Sequence, residues 1–336
     1  MRHIAAVLAF TLTIALAVHA AEPYRLIKEI PIGGEGGWDY ITVDAASHRL
    51  YVSHATKVVV VDIDTGTVVG EIPDTAGVHG FAVAPDLSRG FSSNGRANTS
   101  TIVDLKTLKA LGTVVTGANP DAIFYEPIRK EVYTMNGTGK SATVFEAATG
   151  RVVATIELGG KPEAVVQDVL TNRLFVNLED TGAIGVIDSK AHTLLATWPL
   201  AGCEEPTGLG YDAKSHRLFS ACANKVMVVT DSTSGKHVTT TPIGAGADGA
   251  AFDPVTRFAF ASNGADGTMT IAHLDNPNTL TVVQTLPTLV SGRTMILDPV
   301  SHRVFVPAAM TTPNPTGRGR AVPVPGTFKV LVYGTR

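Results

Sequence analysis

Cysteine is scarce in this chain of 336 residues. Only Cys203 and Cys222 occur, too few for a small disulfide-stapled scaffold. Charge is sparse as well, at 17% Asp, Glu, Lys and Arg, and it nearly balances: 27 basic residues against 30 acidic, a formal −3. No overall field would draw such a protein onto nucleic acid or an anionic membrane. Aromatic residues make up 6%, and no basic stripe is interleaved with them, so nucleic acid is not an expected partner. Beyond the first twenty residues no apolar stretch approaches membrane-spanning length. Long segments of 3.6-residue periodicity are also missing, which excludes a coiled coil and argues against long helices. Gly (33) and Pro (19) are plentiful, and 44% of residues are hydrophobic. Many short strands joined by tight turns account for that balance.

The first twenty residues stand apart. Met1-Arg2-His3 is a short basic start, Ile4 to Val18 is almost continuously apolar, and Val18-His19-Ala20 places small residues where a signal peptidase cuts, before Ala21. This reads as a secretory signal rather than a membrane anchor, with residues 21–336 as one mature domain, periplasmic or secreted. An oxidising compartment favours a Cys203–Cys222 disulfide over free thiols or half of a metal site.

Seven segments of the mature chain repeat one pattern: an apolar strand ending in an acid, a turn, usually Arg, and a second strand. The first strands begin at Asp39, His79, Asp121, Glu163, Thr207, Asp248 and Arg293, so successive starts lie 40, 42, 42, 44, 41 and 45 residues apart. A β-branched third strand (Val58 to Val61) follows, then a turn such as Asp62-Ile63-Asp64-Thr65-Gly66, and a fourth strand such as Val152 to Leu158. Four strands repeated at this period predict an all-β fold, a seven-bladed β-propeller. The seventh copy has only three strands. Arg25 to Gly34 reads like the fourth-strand segment Arg151 to Gly160, so the N-terminal strand is expected to complete the last blade and close the ring.

Tyr51-Val52-Ser53-His54, with Val59, Val61, Asp62 and Thr65-Gly66, resembles the YVTN-repeat β-propellers, the YncE-like exported proteins. The resemblance spans residues 24 to 336. It implies the propeller fold and export. Members of that family serve as binding or surface-layer proteins, so activity has to be argued from the site.

Equivalent positions can be compared within the chain. One column, the acid ending each first strand, reads Asp44, Ala84, Glu126, Asp168, Asp212, Asp253 and Asp298. Repetition of one residue type, with Arg often five residues on, reads as a turn-forming acid paired with that Arg. The other column opens the first strands: Asp39, His79, Asp121, Glu163, Thr207, Asp248 and Arg293. Its members face one mouth of the central channel and differ in chemistry, as an asymmetric ligand would require. A solvated polar mouth is the plain alternative. A divalent metal ion is the candidate cofactor, held by a subset of Asp39, His79, Asp121, Glu163 and Asp248.

Loops on the same face add His54, Glu205 and several Asn residues, the Asn-Gly pairs at 94–95, 136–137 and 263–264 reading as tight turns. Antiparallel pairing would set Thr207 opposite Cys222, beside Cys203. The long segment 309–327 would overhang the mouth, and its Arg318 and Arg320, with Arg293 and Arg96, would oppose the acids. Gly137-Thr138-Gly139-Lys140-Ser141 is not a phosphate loop, since Thr134 stands where the first glycine belongs.

The expected function is that of a monomeric binding or scaffold protein, with a small-molecule ligand or protein partner at the channel mouth. The alternative is a metal-assisted lyase or lactonase-like hydrolase in which His79 acts as general acid or base and Arg293 stabilises an oxyanion.

Overall fold

A computed structural model describes residues 24–315 and 321–335. The export signal expected over residues 1–20 lies outside these residues, as do Arg318 and Arg320. The described chain forms seven four-stranded antiparallel sheets arranged as a β-propeller. Blades 1 to 6 are consecutive meanders over 38–72, 78–115, 120–157, 162–199, 206–242 and 247–287. Blade 7 contains Ile296–Leu297, Val304–Ala308 and Lys329–Gly334, and its outermost strand is Arg25–Pro31. The ring is therefore closed by the N-terminal strand. Among the described residues no helix is long and apolar enough to cross a membrane.

The burial pattern follows from this stacking. Each sheet packs one face on the preceding blade and the other on the next, so the buried apolar residues divide into seven clusters, one per blade–blade interface. The middle strands, covered on both faces, are buried along nearly their whole length, and in blade 1 this shows as the continuous apolar run Val58 to Val61. Outermost strands have one wet face and alternate, as along Thr193–Pro199. Near the axis the innermost strands crowd together: a Cβ on Gly208 would lie 2.3 Å from the Ala250 nitrogen, so only glycine fits there.

Turn chemistry accounts for the repeated acids. Asp44 accepts from the Ser47 amide and hydroxyl, and Asp168, Asp212, Asp253 and Asp298 cap their turns in the same manner. The expected pairing with the following Arg is corrected. Arg49 donates instead to the Leu105 carbonyl (2.8 Å), and Arg217 to the Pro277 carbonyl (2.6 Å) and Asp231 (2.7 Å). Because the acid is already satisfied by its own turn, the long guanidinium of Arg49 is free to reach into the next blade.

The closure has its own clasp. The Gln284 side chain, on blade 6, accepts from the Tyr24 amide (3.0 Å) and donates to the Tyr24 carbonyl (2.8 Å), while the Tyr24 hydroxyl donates to the His302 carbonyl. Gln284→Ala should cost about 1–2 kcal/mol by leaving both backbone groups without their partners. Urea unfolding checks the cost, and unchanged stability would show that water replaces the clasp.

Candidate functional site

The innermost strands carry a shared irregularity that aims one residue of each toward the axis. In blade 1, Trp38 pairs with His54 but the next partners are Ile41 and Val52, so two residues oppose one. The same β-bulge follows the first residue of the innermost strands of blades 2 to 6. A bulge frees the extra residue from the ladder and re-aims its side chain. In every one of these blades the residue at the bulge belongs to the varied column. All seven members, from Asp39 through Arg293, line one axial cavity of about 840 Å³.

Side chains of the preceding blade capture the backbone carbonyls of four members of the column, three of them at a bulge. Thr294 donates to the Asp39 carbonyl (2.8 Å), Asn177 to that of Thr207 (3.2 Å), Ser93 to that of Asp121 and Ser262 to that of Arg293. These members of the column are thus anchored by their neighbours.

Within the cavity the seven groups separate into distinct sets. The His79 Nδ1 is 2.7 Å from Asp39 Oδ2 and 3.6 Å from Asp121 Oδ1. Burial works against the imidazolium, but the hydrogen bond to Asp39 and the charges of Asp121 and Asp39 outweigh it, raising the His79 pKa. Asp121 is 7% exposed and its Oδ1 accepts no hydrogen bond. Burial, then the Asp39 charge, push Asp121 up to about 7. Arg293 is 3.2 Å from Asp39 Oδ1, is bonded to Asp248, and donates to the Trp38 carbonyl (2.8 Å). Despite burial, the Asp39 and Asp248 carboxylates hold it firmly protonated. Glu163 accepts from the Tyr40 hydroxyl (2.9 Å) and pairs with Lys161 (2.8 Å), which also bonds Glu179. Burial and the Asp121 charge push Glu163 up to about 8, more than Lys161 offsets. Thr207 donates to the Ala247 carbonyl (2.9 Å).

Of the five candidate metal ligands, only Asp39, His79 and Asp121 place ligand atoms mutually within 4.8 Å, among the described residues. Glu163 is engaged by Lys161 and Tyr40, and Asp248 by Arg293, so the five do not form one set.

Several expectations change at this level. His54 does not line the cavity: it is 1% exposed, with its ring stacked on Phe328 at 4.4 Å. Burial and the nearby Lys57 lower its pKa. Its counterparts Asn94, Asn136 and Asn263 are buried too. Each sends its amide to two hydroxyls of the third strand, so these residues tie strands together as well as opening turns. Pro206, not Thr207, lies opposite Cys222, because the bulge shifts the register by one. The Cys203–Cys222 disulfide is nonetheless formed, with Cα atoms 5.4 Å apart. Glu205 lines the rim beside it, and Thr311, Ala321 and Pro323 bring the long blade 7 segment to the cavity wall. Arg96 does not line the cavity.

Tyr40 and Lys161 were not among the expected site residues. Tyr40 belongs to blade 1 and reaches Glu163 of blade 4, so its side chain spans the axis. The signal was present one position further along: Tyr40, Gly80, Ala122, Ala164, Gly208, Gly249 and Thr294 form a column of small residues with one large exception.

No family model matches this chain, and neither does any curated protein sequence. Solved structures do resemble it. A chain of Kuenenia stuttgartiensis hydrazine synthase matches with a TM-score of 0.70 at 16% identity, over 93% of this chain and 99% of that one. The WD40 repeats of RRP9 match at 0.74 and 10% identity, over 94% and 98% of the two chains. U3-55K matches at 0.74 and 10%, over 93% and 98%. The class is therefore a seven-bladed propeller akin to WD40-type structures, and at these identities the likeness is one of fold alone.

Proposed function

We propose that this chain is an exported YVTN-type propeller, of the YncE-like kind, that acts as a binding protein and holds a small organic cation in its axial cavity. The convergence of seven residues of mixed chemistry on one cavity, six of them brought there by a repeated bulge, is the observation that carries this reading. Sign follows from the lining. Six acids (Asp39, Asp121, Glu163, Glu179, Glu205 and Asp248) face three bases, Lys161, Arg293 and His79, each already bonded to an acid, and with Glu163 protonated the other five acids still outnumber the bases. The surplus is negative, so a cation gains more than an anion in a partly desolvated cavity. Trp38, Val290 and Pro323 supply apolar wall for the rest of such a ligand. The metal-assisted hydrolase or lyase is the weaker reading, because Arg293 is committed to Asp39, Asp248 and a carbonyl rather than open to an oxyanion.

Thermal unfolding with spermidine, choline and arginine, set against citrate and glutarate, tests the reading. Cations from the first group should raise Tm by roughly 3 °C or more at saturation. Ala223→Trp, which fills the cavity from its wall, should abolish the shift. Equal response to anions, or a shift that survives Ala223→Trp, would refute it.

A further inference from the structure

We propose that Asp39, His79 and Asp121 form a binding site for a first-row divalent metal ion of the zinc type, at the side of the axial cavity where blades 1, 2 and 3 meet. This deepens the reading of the cavity as a binding site and rests on it. The three residues come from consecutive blades, each at the bulge of its innermost strand, and each offers one ligand atom within 4.8 Å of the other two. A cluster of acids alone would mean little. The independent observation is Asp121: it is 93% buried, faces the cavity, and its Oδ1 accepts no hydrogen bond. A buried acceptor that lacks a hydrogen bond, with His79 Nδ1 3.6 Å away, is costly, and a cation between the two would satisfy it.

The donor set selects among metals. Two carboxylate oxygens and one imidazole nitrogen suit a borderline ion. Calcium takes six to eight oxygens and magnesium retains its waters, so neither gains from the imidazole. Three protein ligands with a further position open to a cavity is the arrangement of a zinc site that exchanges its fourth ligand. The surroundings do not oppose added positive charge: Arg293 lies beside Asp39, but its guanidinium is also bonded to Asp248. When the ion enters, the Nδ1 proton now shared between His79 and Asp39 is released, as metal binding to an imidazole requires. The backbone bonds from Thr294 to Asp39 and from Ser93 to Asp121 keep two of the ligands in place without involving their carboxylates.

The experiment is equilibrium dialysis of the chelator-stripped full-length protein against Zn²⁺, Mn²⁺ and Ca²⁺, with bound metal counted by mass spectrometry. One equivalent of Zn²⁺ or Mn²⁺ is expected, weakened roughly 100-fold or more in His79→Ala and in Asp121→Asn, a larger loss than removal of an outer partner causes. Asp121→Asn keeps the shape of the site, so its apo form should melt no lower than the unmutated chain. Asp64→Asn, on an exposed turn outside the cavity, should retain the full equivalent. Zn²⁺ binding that is unchanged in Asp121→Asn, or binding of Ca²⁺ alone that persists in His79→Ala, would overturn the assignment. The organic-cation titrations on the same preparation separate the two readings: cation binding without metal removes the metal site and leaves the function, and metal without cation binding does the reverse.

Discussion

Arg293→Met is expected to destabilise the chain by about 3–5 kcal/mol, the largest loss from any single substitution in the cavity. Arg293 bridges Asp39 and Asp248, and its side chain is largely buried between them. Methionine matches its stem but leaves Asp248 without its guanidinium partner and Asp39 with its His79 bond alone from this set, two acids close together in a largely buried cavity. It also removes the donor to the Trp38 carbonyl at the first turn of the bulge. The penalty comes from stranded charge rather than lost packing, so a second substitution should relieve it. Arg293→Met with Asp248→Asn should recover a substantial part of the loss, and a double-mutant cycle in urea would measure the coupling. Additive effects of the two substitutions would mean that the acids are solvated well enough to do without Arg293.

Glu163→Gln is expected to remove a pH dependence of stability. The folded chain holds the Glu163 proton up to about pH 8, because burial and the Asp121 and Asp248 charges penalise the carboxylate, whereas a free glutamate titrates at about 4.5. Between those values the unfolded chain has already released the proton that the folded chain retains. Fewer protons are then bound in the unfolded state, and stability falls as pH rises from about 4.5 to about 8. Below this window both states are protonated and the penalty vanishes; above it both are ionised and the penalty is constant. Glutamine is neutral throughout and its carbonyl can still accept from the Tyr40 hydroxyl. The variant should therefore gain on the unmutated chain by about 2–4 kcal/mol between pH 4.5 and 9. Residual slope in the variant would belong to Asp121, raised in the same direction. Parallel stability curves for the two proteins would rule out a buried, protonated Glu163.

Much of this molecule was readable before any coordinates. Strand, turn and repeat are encoded locally, in alternation, in Asp-initiated turns and in spacings of 40 to 45 residues. Ring closure was readable as well, since residues 25–34 look like the fourth strand that the last copy lacks. The varied column was visible because a repeat supplies its own control: where architecture alone acts, equivalent positions converge, and Asp39, His79, Asp121, Glu163, Thr207, Asp248 and Arg293 do not.

What the sequence by itself could not determine was how those groups associate. The register assumed from simple alternation put Thr207 opposite Cys222, and a one-residue bulge put Pro206 there instead. His54 looked like a polar loop residue until Phe328, 274 positions away in the chain, closed over its ring. Pairing of Asp248 with Arg293, of Glu163 with Lys161 and Tyr40, and of His79 with Asp39 and Asp121 depends on which side chains reach one another across the axis. Local preferences act over a few residues and so can be read along the chain. The site is assembled from seven blades that meet only when the ring closes, and there the outcome is decided by distance and charge among groups that have no sequence neighbours in common.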